Sequence, residues 1–226
     1  MASLNPSHNN SFPLSHPWRM SRSSIALVSN VLNLFPLITE FLENNFVIGA
    51  MNMNSAILII DMQYGVLTQP GKAHDLDRII SRINLLNMRA RTQQLPIFFM
   101  QYNLPGFLEK GSEAWCLHPD LLVEATDNIV HKQSADPFQT SDLQQQLEKQ
   151  AISHLYIGGF ATEFCIDSTV RRASSLGYQL TLLADAHTTH DKKHLSAKKI
   201  IEHHNLTLSC APTIDAMSCE TIVLDK

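Results

Sequence analysis

Ala56-Ile57-Leu58-Ile59-Ile60-Asp61-Met62-Gln63 is the stretch from which the fold can be read. An unbroken apolar run, rich in isoleucine, stops at an acid. A strand with one wet face alternates apolar with polar residues, whereas a parallel strand covered by helices on both faces stays apolar throughout. The run therefore predicts a buried parallel strand whose carboxyl end is marked by Asp61. Beyond it Leu76, Ile79, Ile80, Ile83 and Leu86 return at helical spacing, with Asp75 placed to cap that helix. Together they make a β-α unit.

The alternation continues downstream. Ile97 to Met100 reads as a second strand, and Asn128 to Val130 as a third that runs into His131 and Lys132. A helix from about Ser141 to Gln150 precedes a fourth strand, Leu155 to Ile157, which meets Gly158-Gly159. Gln179 to Ala184 and Leu206 to Ser209 read as the last two strands, with helices near Ile166 to Leu176 and Lys192 to His203. Repeated β-α alternation predicts an α/β domain of three layers, α/β/α, around a mainly parallel six-stranded sheet. One long irregular stretch, Asn103 to Asp127, follows the second strand and carries Trp115, with Tyr102 at its entry. Such loops commonly shape ligand sites in α/β folds, although a plain surface excursion anchored by Trp115 fits the pattern equally well.

Residues 1–50 have a different composition. Only Glu40 and Glu43 of the 21 acidic residues lie there, among abundant Ser and Asn. Folding arguments accordingly start near Ser55, with a single domain expected over 51–226. The apolar-leaning run from Ile25 to Leu42 is broken by Ser29, Asn30, Asn33, Pro36 and Glu40. A bilayer span needs about 18 or more predominantly apolar residues, so stable membrane insertion is not expected. The segment reads as a poorly ordered extension, for example one translated from an upstream start; an export signal or a partner-binding helix are the alternatives.

The net charge of -4 on 226 residues, with no basic run, removes any electrostatic case for nucleic acid. Four cysteines without a CxxC spacing are too few for a disulfide framework. A reducing, cytoplasmic setting suits them.

Open parallel sheets bind ligands beyond the carboxyl ends of their strands. Asp61 ends the first strand, Lys132 follows the third, and Cys165 lies just past the fourth, so neighbouring strands would bring all three to one crevice. Their types are compatible with nucleophilic chemistry. A thiol must lose its proton to attack a carbonyl, which a base such as Asp61 can accept and a cation such as Lys132 can support. Taken singly, Asp61 could equally be a turn residue, Lys132 a solvated surface group and Cys165 a small buried hydrophobe. The run Gly158-Gly159-Phe160-Ala161-Thr162-Glu163-Phe164-Cys165 adds a strand-to-helix turn whose glycines permit an unusual path and whose amides can face an oxyanion.

Five segments carry a family resemblance: I-I-D-M-Q (Ile59 to Gln63), G-S-E-A-W-C-L-H-P (Gly111 to Pro119), H-K-Q-S-A-D-P-F (His131 to Phe138), G-G-F-A-T-E-F-C-I-D-S-T (Gly158 to Thr169) and L-A-D-A-H-T-T (Leu183 to Thr189). In these the chain resembles the isochorismatase-like cysteine hydrolases, which include nicotinamidases and N-carbamoylsarcosine amidases. The resemblance spans Ala56 to Ser209. It implies a Rossmann-like fold, a triad of Asp61, Lys132 and Cys165, a cis peptide between Phe160 and Ala161, and an oxyanion hole from the amides of Ala161 and Cys165. Gln63, Trp115 and Phe138 lie in the shared motifs near the expected mouth and are candidate substrate contacts. Relatives often assemble, so a homo-oligomer is implied as well.

Members that act on the vinyl ether isochorismate tend to lack the nucleophilic cysteine, so Cys165 points to a small amide, ureide or carbamoyl substrate. The nicotinamidase branch carries an Asp-x-His pair after the second strand, where this chain has Met100-Gln101-Tyr102-Asn103. Neither zinc nor any other cofactor is expected, nor nicotinamide as main substrate. His187, His190 and His194 could share one face but lack a completing carboxylate or cysteine, and they read as surface or capping residues. Asp185 reads as a support of the sheet edge or a subunit contact. A vinyl ether hydrolase and a non-catalytic binding protein on the same fold remain the alternatives.

Overall fold

A computed structural model describes residues 54–224, and the expectations for residues 1–50 lie outside them. The described residues form six strands, β1 (Asn54–Ile60), β2 (Ile97–Tyr102), β3 (Asn128–Lys132), β4 (Ile152–Phe160), β5 (Gln179–Thr188) and β6 (Ile214–Met217). The helices are α1 (Tyr64–Thr68), α2 (Leu76–Thr92), α3 (Pro137–Thr140), α4 (Leu143–Lys149), α5 (Asp167–Ser175) and α6 (Ala197–Leu208), with a single π turn at Thr162–Ile166 leading into α5.

The strands form one sheet in the order β3-β2-β1-β4-β5-β6. Every pairing in it is parallel. Because successive strands move outward first on one side of β1 and then on the other, β1 and β4 meet at the point where the winding reverses. A crevice opens there beyond the strand ends, which is where doubly wound sheets take their ligands.

The apolar run of β1 is explained by its two covered faces. Ala56, Leu58 and Ile60 pack into one core with Leu143 and Leu147 of α4 and Val170 and Ala173 of α5. Ile57 and Ile59 pack into the other with Ile79, Ile80, Ile83 and Leu86 of α2. Each fully buried aliphatic side chain contributes about 1.5–3 kcal/mol relative to exposure.

The middle of the sheet is held unusually close. A β-carbon on Gly159, whose φ is +121°, would lie 2.1 Å from the Ile60 carbonyl oxygen on β1. One on Gly158 would lie 2.7 Å from the Ala186 carbonyl oxygen on β5. Between Ile157 and Gly159 the β4–β5 pairing jumps from Leu182 to His187, so β5 bulges around β4 at that level.

The sixth strand corrects the sequence reading. Leu206 to Ser209 is the end of α6 and its C-cap, not a strand, and the edge strand begins at Ile214. Leu206 points to solvent while Ala197, Ile200 and Leu208 face inward at helical intervals, so the short apolar run belonged to the helix. That helix starts at Ala197 rather than near Lys192, capped by Ser196, whose Oγ accepts from the Lys199 N–H. Asp75 does occupy the N-cap of α2, yet its side chain makes no capping bond and stands 3.9 Å from Arg78 instead. Among the described residues no helix is long and apolar enough to cross a membrane.

Candidate active site

Asp61, the first residue after β1, turns the chain with φ 47° while its N–H donates to the Met100 carbonyl at 3.1 Å. Short polar residues tolerate this left-handed conformation better than branched ones. Lys132 ends β3, two strands away. With neighbouring strands about 4.8 Å apart, roughly 10 Å separates β3 from β1, so only a long side chain can bring a charge from one to the other. The Lys132 stem crosses beyond the end of β2, and its ammonium lies 4.4 Å from the centroid of the Tyr102 ring. Cys165 sits in the π turn, where the Ile166 N–H reaches back to the Ala161 carbonyl at 3.1 Å. Thr169 pins the turn by donating its hydroxyl to the Cys165 carbonyl at 2.6 Å. The preceding peptide, Phe160–Ala161, is cis.

The three side chains meet at the crevice. Lys132 Nζ is 2.7 Å from Asp61 Oδ2, 3.4 Å from Cys165 Sγ and 3.0 Å from the Ser134 carbonyl oxygen. The ammonium donates to the Ser134 carbonyl and to the Cys165 sulfur and is ion-paired with Asp61. Lys132 is fully buried, and Asp61 and Cys165 are almost so, with 3% and 4% exposure.

Burial sets the protonation of the group. It raises the Asp61 carboxyl above its ordinary range, and the Lys132 charge offsets that only in part. Burial and the neighbouring Asp61 charge push the Cys165 thiol well up, again against Lys132. For Lys132 burial acts downward, but the paired Asp61 and the adjacent Cys165 outweigh it and hold the amine protonated. The resting set is thus a neutral thiol, a firmly held cation and a carboxyl whose affinity for a proton is enhanced. Such a carboxyl can accept the thiol proton and give it up again.

A cavity of about 180 Å³ opens onto Asp61 and Cys165. Val66, Leu104, Phe107, Leu108, Phe160 and Phe164 supply most of its wall, and Tyr102 and Ala161 complete it. Larger clefts elsewhere, such as one of about 400 Å³ beside His154 and Val223, contain none of Asp61, Lys132 and Cys165.

The candidate substrate contacts fare differently. Gln63 is fully buried; its amide donates to the Tyr102 and Trp115 carbonyls at 3.0 and 2.8 Å, while its oxygen accepts from the Tyr102 N–H at 2.7 Å. That side chain ties β2 to the Asn103 to Asp127 loop. Trp115 stacks obliquely on His131, with ring centroids 5.3 Å apart, and Phe138 packs on Tyr178 at 5.9 Å. None of the three lines the cavity. Leu104, Phe107 and Phe164, which do, carried only a weak signal in the sequence: large apolar residues in segments that should be loop or turn.

His187 is not a surface residue. It lies fully buried on β5 between Thr162 and Asn205, each 2.8 Å away. Asn205 donates its Nδ2 to the Ala184 carbonyl, so its Oδ1 faces the His187 Nε2–H and the Thr162 hydroxyl donates to Nδ1. Burial lowers the His187 pKa to about 4. His190 contacts the Val66 carbonyl at 2.7 Å. Among the described residues no three His, Cys, Asp or Glu side chains form a metal-binding group. Asp185 braces the end of the domain, accepting from the Cys219 N–H at 2.8 Å and the Ser218 hydroxyl at 3.0 Å and pairing with Arg82 at 3.2 Å.

An isochorismatase domain matches residues 55–216. The uncharacterized isochorismatase family protein YecD of Escherichia coli O157:H7 is 28% identical over 148 residues, 58% of this chain and 78% of YecD. Nicotinamidase 3 of Arabidopsis thaliana is 24% identical over 158 residues, 62% of this chain and 75% of that enzyme. A crystal structure of an isochorismatase family protein superposes with a TM-score of 0.69 at 32% identity, covering 74% of this chain and 99% of the other.

Proposed function

The chain belongs to the isochorismatase family, and from that premise we propose that it is a cysteine-dependent hydrolase cleaving the C–N bond of a small amide, ureide or carbamoyl compound. The observation that carries this reading is the placement of Lys132 Nζ at 2.7 Å from Asp61 and 3.4 Å from Cys165, two residues that line a small, mostly apolar cavity. A carboxyl, a cation and a thiol so arranged can activate a nucleophile without any further group. Nicotinamidase 3, named for an amide substrate, is a relative that supports the C–N assignment.

In this mechanism Asp61 takes the Cys165 proton and the thiolate attacks the carbonyl carbon. The backbone N–H groups of Ala161 and Cys165 receive the oxyanion, as donors aimed at developing charge in a dry site do. Asp61 then protonates the departing nitrogen, ammonia or an amine leaves, and a thioester remains. Water, losing its proton to Asp61, attacks the thioester; the carboxylic acid departs and the thiol is restored. Lys132 keeps its proton throughout.

The test is ammonia release over a panel of small amides, ureides and carbamoyl compounds, by the full chain and by Cys165→Ala. A substrate hydrolysed by the former and at least about 1000-fold more slowly by the latter supports the proposal. Undiminished hydrolysis by Cys165→Ala refutes it, and pyruvate release from isochorismate without ammonia release from any amide would move the chemistry to an ether.

A further inference from the structure

The cavity wall bears on the substrate in a way the triad does not. Among the described residues its lining includes one charged side chain, Asp61, and that carboxylate is paired with Lys132. Among the described residues no lysine or arginine belongs to the lining. Lys132 is shared among Asp61, Cys165 and the Ser134 carbonyl, and Lys192 pairs with Glu163 at 2.7 Å. Around the mouth, by contrast, Leu104, Phe107 and Phe164 stand 40%, 41% and 55% exposed. Large apolar side chains gathered at a cavity rim gain free energy when an apolar group covers them.

We propose that the preferred substrate is an uncharged primary amide with an apolar acyl group, seated against Phe107, Phe160 and Phe164, and that amides bearing a carboxylate are excluded. This rests on the hydrolase reading above and specifies its substrate class. A carboxylate entering the cavity would exchange its water for a wall offering no cationic partner, a heavy desolvation cost. An alkyl or aryl group would lose only unfavourable contact with water. The size is bounded as well: an apolar cavity of about 150 Å³ holds a benzene ring, so the 180 Å³ here admits an acyl group up to phenyl. The same wall favours turnover, because hydrolysis of R–CO–NH2 yields R–COOH, which ionises as it meets water and has no cation to retain it.

The experiment compares acetamide, isobutyramide and benzamide with the anionic succinamate and ureidoacetate, by ammonia release from the full chain. kcat/KM should rise about fourfold per added methylene until the cavity is full. It should fall at least about 100-fold from isobutyramide to succinamate. Equal or better hydrolysis of the anionic compounds overturns the proposal and leaves the hydrolase reading intact. A second measurement needs no turnover: alkylation of Cys165 by iodoacetamide and by iodoacetate, followed by mass spectrometry and divided by the rates with glutathione. Sulfur forms a bond to the methylene carbon, iodide leaves, and the thiol proton passes to buffer. A normalised preference for iodoacetamide of at least about tenfold supports exclusion of anions, and Phe107→Arg should reduce it; no preference overturns it. If no amide releases ammonia while the alkylation preference persists, the hydrolase reading falls and the exclusion of anions by this cavity stands.

Discussion

Removing the cation tests the electrostatic account most directly. Lys132→Met preserves most of the stem but leaves the Asp61 carboxyl buried beside a neutral thiol. A buried carboxylate without its cation escapes by holding its proton, and it must release that proton on unfolding. Its ordinary pKa is 3.8, and pH 7 lies about 3 units above that; at 1.4 kcal/mol per unit, keeping the carboxyl neutral costs about 4 kcal/mol at pH 7 and about 2 kcal/mol at pH 5. The sign is that of a raised acid: stability is fullest below 3.8 and declines as pH rises toward the folded-state value. Asp61→Asn/Lys132→Met, which has nothing to titrate at that position, is the reference. Urea denaturation of both variants at pH 5, 6 and 7 should show the single variant less stable, with a gap widening by about 1.4 kcal/mol per pH unit. Other titrations, including that of His187, cancel in the comparison. A gap that is absent at pH 7, or that does not change with pH, would refute the burial of a charged Asp61 as described. The single variant should also release no ammonia, since a carboxyl that keeps its proton cannot take one from Cys165.

The other predictions concern the scaffold. Gly159→Ala should destabilise the fold by more than about 3 kcal/mol, because its β-carbon meets the Ile60 carbonyl at 2.1 Å; Gly177→Ala, also at positive φ but with open space around it, should cost only about 1–2 kcal/mol by denaturant midpoint. His187, whose pKa is lowered to about 4 from 6.5, binds its proton more readily unfolded, so stability should fall as pH drops from 6.5 toward 4, by about 3 kcal/mol in all. In His187→Gln that part of the pH dependence should vanish from thermal unfolding curves; an unchanged profile would remove His187 as its source. Gln63→Met should break three hydrogen bonds to backbone, and the Tyr102 N–H should exchange with deuterium at least about tenfold faster.

The architecture was legible because β1 is apolar on both faces and because α2 repeats its isoleucines at helical spacing. Both are consequences of burial that a sequence records directly. The convergence of Asp61, Lys132 and Cys165 was legible for a related reason: each follows an apolar run, and parallel strands end on the same side of a sheet. Leu206 to Ser209 misled because a short apolar segment has no period of its own, and only the inward set of Ala197, Ile200 and Leu208 shows the helix. The fate of Gln63, Trp115 and Phe138 was hidden for another reason. Whether a side chain near a cavity faces the cavity or the backbone behind it depends on the path of the Asn103 to Asp127 loop, which hydrogen bonds to Gln63 fix only in three dimensions. His187 was likewise unreadable, its burial following from a bulge in β5 opposite Gly158 and Gly159.

The three neighbours of Lys132 Nζ have a consequence for the energetics of the proposed reaction. When a proton passes from sulfur to carboxyl, the negative charge moves from one neighbour of the ammonium to another, and the sum over the three residues stays at zero. No new charge is created in the interior, so burial penalises transfer of the Cys165 proton to Asp61 far less than it penalises loss of that proton to water. In that proposed reaction Lys132 would serve as a fixed counterweight about which one negative charge swings, and the cost of activating the nucleophile would become that of a short relocation.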